Sequence, residues 1–351
     1  MEIKGDSYVL ESNIHFPVDL AQLWDSNRKV LNVLSRLGFE LTEHRQLNSL
    51  SKKLANLNYA CGQIHRKKGK NYKERLRNPV LSYLKQSRHL LTKAEETLGN
   101  LSFAIALCEA STLTSVGTHC KNTQLVKLYN ELNYYLDFLR KCIDLVDRRL
   151  IQGEEIPHSD KILSIFEPDV EWISKGKAGK AVEFGHRHLI YTDQYHFILH
   201  HQVLYKQTDK EVALSAAEQM FASYGTANYL YKSLSYDRGF YSGPAKKSLG
   251  FLFERVIMPK PGKKSVAVQQ QESDVEFVKL RHRHSAVESN INSLEHTGLN
   301  KCPDKGFEKF KNYAATGVLT YNLRQLGKWI TKLEQSERLK KPSNKSFAKA
   351  A

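Results

Sequence analysis

The sequence has few cysteines and no long apolar run. Its five cysteines are an odd number and include no CxxC pair, so neither a disulfide framework nor a zinc site is indicated. No apolar stretch reaches the roughly 18 residues that a membrane-spanning helix needs. The opening "MEIKGDSYVL" lacks the basic-then-apolar layout of a signal peptide. We therefore expect a cytoplasmic protein with reduced thiols and no membrane partner.

Acidic residues are also scarce relative to basic ones. Among 351 residues, 53 are Lys or Arg and 37 are Asp or Glu, which gives a net charge of +16. Such an excess favours a polyanionic partner, nucleic acid first and an anionic membrane surface second. The hydrophobic fraction of 41% is high enough for a folded core. The composition therefore predicts a folded, nucleic-acid-binding protein.

The pattern of apolar residues divides the chain into a helical block and an α/β remainder. Residues 2–16 favour a strand, and Pro17 opens a block that is nearly all helical to residue 155. Within this block, 122–150 carries apolar residues at alternating steps of three and four, the spacing of a bundle seam. Further strands are predicted at 181–193, 195–205, 233–237 and 254–259.

This order predicts an α/β fold with a mixed five-stranded sheet and flanking helices. A large all-helical insertion separates the first and second strands. The predicted regions are a first strand (1–16), a helical insertion (17–155), the remainder of the core with C-terminal helices (156–338), and a basic disordered tail (339–351).

Three acids could converge at the strand ends of this sheet. Asp6 lies in the first strand, Asp237 ends the strand at 233–237, and Glu288 lies on a helix beyond the last strand. His284, Glu288 and Asn292 are spaced four residues apart within 281–299, so they are predicted to share one face of a single helix. Chemistry in open α/β sheets collects at strand ends, and three carboxylates suit Mg²⁺ bound together with a substrate phosphate. A pair of such ions supports in-line phosphoryl transfer. The alternative for Glu288 is a solvated ion-pair face.

Several segments around these acids resemble the DDE transposases of bacterial insertion sequences, nearest the group catalogued as "not classified yet" (ISNCY). They occur in family order and cover nearly the whole chain. The segments are "GDSYVLESNIHFPVDLAQLWDSNRKVL", "IFEPDVEWISKGKAGKAVEFGHR", "YDRGFYS", "VIMPKPGKK" and "HSAVESNINSLEHTGLNKCPDKGFEKFKNY".

The resemblance implies an RNase H-like catalytic core in which Asp6, Asp237 and Glu288 are the catalytic, metal-binding triad. The implied metal is Mg²⁺, with Mn²⁺ as a substitute, and His284 belongs to the motif around the third acid. The implied activity is DNA strand cleavage followed by strand transfer during transposition of an insertion sequence. The implied partners are transposon ends and target DNA in the nucleoid, with a homodimer assembled on DNA.

The chain departs from this family in two respects. It begins five residues before Asp6, whereas full-length relatives carry an N-terminal region that recognises the transposon ends, so we expect this region to be lacking. The simplest RNase H-like core also lacks a helical block of this size. Two alternatives therefore stay open, a catalytically silent DNA-binding remnant of a transposase and a stand-alone metal-dependent nuclease.

Basic residues in three regions are predicted to contact DNA phosphates. One region is "RKKGKNYKERLR" (66–77). A second is "SKGKAGKAV" (174–182), which lacks the spacing of a phosphate loop. The third flanks the second and third acids. The predicted contacts are Arg66, Lys67, Lys68, Lys70, Lys73, Lys175, Lys177, Lys180, Arg238, Arg281, Arg283 and His284.

Other polar residues allow alternative interpretations. Asp19 and Asp25 could replace Asp6 as the first acid, but they follow Pro17 on a predicted helix rather than a strand. The histidines at 196, 200 and 201 could suggest zinc, although a strand face with satisfied or exposed side chains is the simpler interpretation. Asn13 and His15 match family positions beside the first strand, where a site-shaping and a packing role are both open.

Overall fold

The structure of the protein, a computed structural model, describes residues 1–37, 41–67, 69, 71–111, 116–174, 181–224 and 232–340. The chain divides into two compact units. The sheet unit comprises Met1–Asn13 and Asp169–Ala351, and the helical unit comprises Ile14–Pro168. In the part of the chain that is described, no helix is long and apolar enough to cross a membrane.

Long helices packed side by side build the helical unit. They are α1 (Asp19–Arg36), α2 (Leu41–Arg66), α3 (Tyr72–Ser111) and α4 (Val116–Val146). The apolar seam predicted for 122–150 lies in their common core, where Leu132, Leu139 and Val146 are fully buried. The unit extends beyond the predicted boundary at 155, because Ile165 is fully buried in the same core.

One mixed sheet forms the centre of the sheet unit. Its described strands are β1 (Glu2–Ser12), β2 (Glu171–Ser174), β3 (Val182–Thr192), β4 (Ile198–Val203), β5 (Ser233–Tyr236), β6 (Arg255–Ile257) and β7 (Lys301–Cys302). Their order is β2-β3-β1-β5-β6, with β4 paired to β3 and β7 paired to β1.

The five strands that the sequence predicts are all present, but the predicted count of five is too low. The structure adds β2 and β7, so the described sheet has seven strands. These two strands have four and two residues. Segments this short carry too few residues for an alternating apolar pattern to be recognisable.

The central strand β1 has an open stretch along one edge. It runs antiparallel to β3 along its length and parallel to β5 and β7 on the other side. However, β5 pairs only with residues 2–5, and β7 pairs only with residues 11–12. Among the described strands none pairs with the intervening edge from Asp6 to Leu10, so this edge is accessible to side chains and ligands.

Helices cover both faces of the sheet. They are α5 (Asp209–Tyr224), α6 (Gly243–Leu249), α7 (Val266–Ser273), α8 (Val275–His284), α9 (Ala286–Leu294) and α10 (Phe307–Lys340). Ala213 and Met220 of α5 pack with Ile3 on one face. Val287 of α9 packs with Leu10 on the other face.

One prediction for the C-terminal region needs correction. Residues 281–299 do not form one continuous helix, because α8 ends at His284 and α9 begins at Ala286. The last helix, α10, continues to Lys340, the second residue of the predicted tail. The remainder of that predicted tail, residues 341–351, lies outside the described residues.

Two tyrosine rings lie close against β1 at Gly5. A Cβ atom built on Gly5 would lie 2.5 Å from the ring of Tyr236 and 2.9 Å from the ring of Tyr191. Both rings are buried, and the two hydroxyl groups are 2.6 Å apart. The Tyr236 hydroxyl also donates to the carbonyl oxygen of Ala213 at 2.7 Å. Any residue larger than glycine at position 5 would therefore force this hydrogen-bonded pair apart.

We predict that Gly5→Ala lowers the free energy of unfolding by about 1–3 kcal/mol, the usual cost of overpacking a close-packed core. The matched control is Gly243→Ala, because a Cβ atom at Gly243 would meet nothing within 4 Å. The control should change the stability by less than about 0.5 kcal/mol. Chemical denaturation followed by circular dichroism measures both. Equal losses in the two variants would contradict the close approach at Gly5.

Candidate functional site

A cleft of about 580 Å³ lies beside the open edge of β1, within the sheet unit. Among the described residues that line it, five are acids and one, Arg187, is a cation. The acids are Asp6, Asp209, Asp237, Glu288 and Glu295. We name this feature the acidic cleft. It contains all three acids that the sequence singles out, although they come from residues 6 to 288 of the chain.

The pairing of β1 with β5 brings the first two acids together. In this parallel pair, Gly5 is the partner of Tyr236, the last residue of β5. The next residue on each segment is an acid, Asp6 on β1 and Asp237 just after β5. Because neighbouring strands lie about 4.8 Å apart, this register places the two acids next to each other at the mouth of the cleft.

The third acid comes from α9. Val287 and Leu294 face the sheet and are fully buried, which fixes the rotation of the helix. Glu288 and Asn292, four residues apart, then lie on a flank that lines the acidic cleft. The helical spacing predicted from the sequence is thus correct for these two residues, even though His284 belongs to the preceding helix.

The electrostatic environment of Asp6 is strongly perturbed. The pKa of the Asp6 carboxyl is raised to about 7, first by burial and further by the negative charges of Asp237, Asp209 and Glu288. A hydrogen bond from the Ser7 amide, 2.8 Å long, acts in the opposite direction and lowers the pKa. Perturbation of this kind is typical of functional sites.

Asp209 is a fourth acid that the sequence analysis missed as a site residue. It is the first residue of α5, a position where an acid is ordinary because it favours the helix N-terminus. The Ser7 hydroxyl donates to Asp209 Oδ1 at 2.7 Å, and Arg187 Nε lies 4.0 Å from Asp209 Oδ2. These contacts hold Asp209 at the edge of the cleft, where its charge raises the pKa of Asp6.

The acidic cleft offers donors that suit a divalent cation. Among the described residues, no group of three or more His, Cys, Asp or Glu side chains is already drawn together tightly enough to hold a metal ion. The donor set nevertheless fits Mg²⁺, which prefers hard carboxylate oxygens and retains several waters. A cation there would also offset the like-charge repulsion that raises the pKa of Asp6. Asp6, Asp237 and Glu288 are the residues that would hold it.

The basic residues predicted around the acids have different surroundings. Arg238 and Arg281 are exposed, whereas Arg283 forms an ion pair with Glu2. The ring of His284 is turned toward the sheet, with Nδ1 3.1 Å from the Ser235 hydroxyl. Burial lowers the pKa of His284, and the charges of Asp237 and Glu288 raise it. His284 therefore packs against the sheet beside the acids, where it can help to hold them in position.

A second cleft, of about 640 Å³, lies on the other flank of α9. Its lining includes Lys4, Lys232 and Arg283, so we name it the basic cleft. Lys4 lies two residues before Asp6 on β1 and shares its sheet face. Only 6% of the Lys4 side chain is exposed, and burial lowers its pKa. Neither Lys4 nor Lys232 was identified from the sequence.

The remaining predicted DNA contacts lie partly outside the described residues. Lys68, Lys70, Lys175, Lys177 and Lys180 all fall there. The other members of the first basic region are described. Arg66 is the last residue of α2, Lys67 lies in the connection to α3, and Lys73 lies in the first turn of α3. All three residues are exposed.

The alternative first acids are engaged in the helical unit. Asp25 accepts a hydrogen bond of 2.7 Å from His15 Nε2, and Asp19 forms an ion pair with Arg149. His15 thus contacts a helix residue, and Asn13 is exposed and does not line the acidic cleft. These contacts favour Asp6 as the first acid.

Of the three histidines that could suggest zinc, His196 and His201 have separate hydrogen-bond partners, whereas the buried Nε2 of His200 has none among the described residues. His196 precedes β4 and has Nδ1 2.8 Å from Asn290 Oδ1. His201 Nδ1 lies 3.1 Å from Nε2 of His188, a buried residue whose Nδ1 is 3.0 Å from the Tyr8 hydroxyl. Burial lowers the pKa of His188 to about 3. These contacts support the side chain of Tyr8, which lines the acidic cleft. They favour a packing role for His201 over zinc binding.

Comparison with protein-family models, curated proteins and solved structures found no match. The functional interpretation accordingly depends on the two clefts, on their charges and on the motifs of the sequence.

We predict that Asp6→Asn stabilises the metal-free protein at pH 8 but not at pH 4. An aspartate in the unfolded chain has a pKa near 3.9, whereas the folded value is about 7. Between these values the folded state keeps a proton that the unfolded state has lost, so stability falls as the pH rises. Because Asp6 is partly exposed, we expect a gain of about 1–2 kcal/mol at pH 8.

Urea denaturation at pH 4 and pH 8 measures this gain. The matched control is Glu218→Gln, an exposed acid on α5 that does not line the cleft. Its effect should be the same at both pH values. A gain for Asp6→Asn that is independent of pH would show that Asp6 does not carry the raised pKa.

Proposed function

We propose that the protein is a metal-dependent DNA strand-cleavage and strand-transfer enzyme of the DDE transposase class. The observation that carries the proposal is the presence of Asp6, Asp237 and Glu288 in one cleft. These are the acids that the family resemblance selects. Asp6 lies on the central strand β1, Asp237 directly follows β5, and Glu288 lies on α9, which covers the sheet.

The architecture supports the same proposal. The sheet joins an antiparallel half (β4, β3, β1) to a parallel half (β1, β5, β6), which is compatible with an RNase H-like core. The helical unit lies between β1 and β2 in the chain. This position supports the interpretation of the helical unit as an insertion into such a core.

In the proposed reaction, the protein's own residues bind and position the DNA. Asp6, Asp237 and Glu288 hold the cations, and bound Mg²⁺ would activate the attacking oxygen and stabilise the leaving one. Asp209, held by Ser7 and Arg187, adds negative charge at the edge of the cleft. The nucleophile is water in the cleavage step and the freed 3′-hydroxyl in the transfer step, so no covalent bond forms between protein and DNA.

Positive charge beside the site supports DNA as the substrate. The basic cleft shares α9 and β1 with the acidic cleft. A strand crossing both would have a phosphate near the exposed Lys232 while one phosphodiester lies near the acids. Lys4 is buried and Arg283 is paired with Glu2, so these two cations add positive charge without being free for phosphate. The net charge of +16 favours the same polyanionic partner.

We predict that Asp6→Asn, Asp237→Asn and Glu288→Gln each reduce Mg²⁺- or Mn²⁺-dependent nicking of plasmid DNA to below about one hundredth of the wild-type rate. DNA binding should change little, since phosphate contacts by cations dominate it. Because the three acids act as one unit, double variants should be hardly worse than single ones.

The matched control for nicking is again Glu218→Gln, which removes one exposed acid outside the cleft. It should retain the wild-type rate. Full nicking activity in Asp237→Asn would eliminate the triad assignment. DNA binding by the wild type without any divalent-dependent nicking would instead favour a catalytically silent DNA-binding protein.

We also predict that the exposed cations near the α2–α3 connection contribute to DNA binding. A quadruple change to Gln at Arg66, Lys67, Lys73 and Arg75, all exposed, should weaken binding to all sequences alike. It should also flatten the slope of log affinity against log salt by up to about 0.9 per lost phosphate contact.

The control for this experiment removes the same charge from ion-paired arginines of the helical unit. These arginines pair with acids and are therefore less available to phosphate; they are Arg36, Arg88, Arg140 and Arg148. Their change to Gln should leave the salt slope closer to wild type. Identical slopes in the two quadruple variants would assign the exposed cations no specific role in DNA binding.

A further inference from the structure

The helix α10 carries an exposed row of large apolar side chains from its middle toward its C-terminal end. They are Leu319, Leu323, Leu326, Ile330 and Leu333, with exposed fractions of 60%, 59%, 47%, 48% and 57%. Their spacing alternates between four and three residues, which is the spacing of a coiled-coil seam. We name this row the α10 stripe. Single exposed leucines are ordinary, but a continuous row of five marks an interaction surface.

The α10 stripe is distinct from the side of α10 that packs on the sheet unit. That side is formed by Phe310, Ala314, Val318 and Tyr321, which are buried in the core beside β1. At 3.6 residues per turn, the two sets lie about 145° apart around the helix. The stripe is therefore not a continuation of the core contact, because the helix is apolar on two opposite sides.

Beyond Gln325 the helix has little support from the other described residues. Every side chain from 326 to 335 is exposed, and a contact of 3.4 Å joins Trp329 Nε1 to the Tyr195 carbonyl oxygen. An isolated helical segment of about 12–15 residues is only marginally stable in water and usually depends on packing of its apolar face. The α10 stripe is such an apolar face, so a partner that packs on it would stabilise this part of the helix.

We propose that the α10 stripe pairs with the same stripe of a second copy of this chain, forming a short two-stranded coiled coil that makes the protein a homodimer without DNA. The heptad positions support this partner. Leu323 and Ile330 occupy a positions, and Leu319, Leu326 and Leu333 occupy d positions. A seam of this composition is self-complementary and suits two strands. The inference does not depend on the proposed enzymatic function.

The charges on α10 are compatible with self-pairing. The chain carries a net charge of +16, so two copies repel each other unless their cations lie away from the contact. Arg324, Lys328 and Lys332 occupy b, f and c positions, on the side of the helix away from the seam. The e and g positions that flank the seam contain no Lys or Arg; they are Thr320, Asn322, Gly327, Trp329, Glu334 and Ser336.

The size of the stripe is sufficient for a modest dimer. Pairing of two stripes would bury on the order of 1,000 Å² in total, which is near the lower limit of specific interfaces. Interfaces of this size are not tight, so we expect a dissociation constant of about 1–10 μM.

Sedimentation of the full chain at 1–100 μM, in the absence of DNA, tests the proposal. Ile330→Glu places a carboxylate in the seam of both copies, whereas Gln335→Glu places the same charge at an f position on the far side. Both positions are exposed, so neither change should unfold the sheet unit. In Ile330→Glu the circular dichroism spectrum should lose at most the helical signal of the unpaired end of α10. Wild type and Gln335→Glu should dimerise, and Ile330→Glu should raise the dissociation constant at least about 100-fold.

A wild-type protein that stays monomeric at 100 μM overturns the proposal, because the stripe then has another occupant or none. A dimer that Ile330→Glu and Gln335→Glu weaken equally also overturns it. If Ile330→Glu is misfolded, Leu323→Gln replaces it as a milder seam variant, with the same expected loss of dimer.

Discussion

The packing of Tyr191 and Tyr236 against Gly5 is the constraint on which the site depends. The two rings fill the space that a side chain at position 5 would occupy, and their hydrogen bonds tie β3, β5 and α5 together. This contact fixes the parallel register in which Gly5 partners Tyr236. Because an acid follows each of these residues, the register that satisfies the core also sets Asp6 beside Asp237.

That arrangement is unfavourable for the metal-free fold. Burial first, and then the charges of three nearby carboxylates, raise the pKa of Asp6 to about 7. A fold under selection for stability alone would not be expected to gather like charges there. The adjacent contacts hold the acids despite the repulsion, since Ser7 donates to both Asp6 and Asp209 through its amide and hydroxyl groups. We interpret the cleft as a site that a cation stabilises.

Much of the fold could be predicted from the sequence, because its longer strands and helices carry clear apolar periodicity. β2 and β7 could not, since four and two residues are too few for a pattern. The break at Ser285 was missed because no Gly or Pro marks it. In the site, the three acids were identified by motif, whereas Asp209 resembled an ordinary helix cap and Lys4 an ordinary strand lysine. Their roles depend on pairing between distant segments, which spacing along the chain does not reveal.

The two clefts show how one short helix can separate opposite charges. Val287 and Leu294 anchor α9 on the sheet, so Glu288 faces the acidic cleft and the next residue, Ser289, faces the basic cleft. On β1, Asp6 lines the acidic cleft, and Lys4, two residues earlier, lines the basic cleft. A nucleic-acid strand has one repeating charge, and the acidic cleft alone would repel it. In the proposed reaction both clefts would act together: Lys232 in the basic cleft would hold a neighbouring phosphate, and cations held by the acids would neutralise the phosphodiester that reacts.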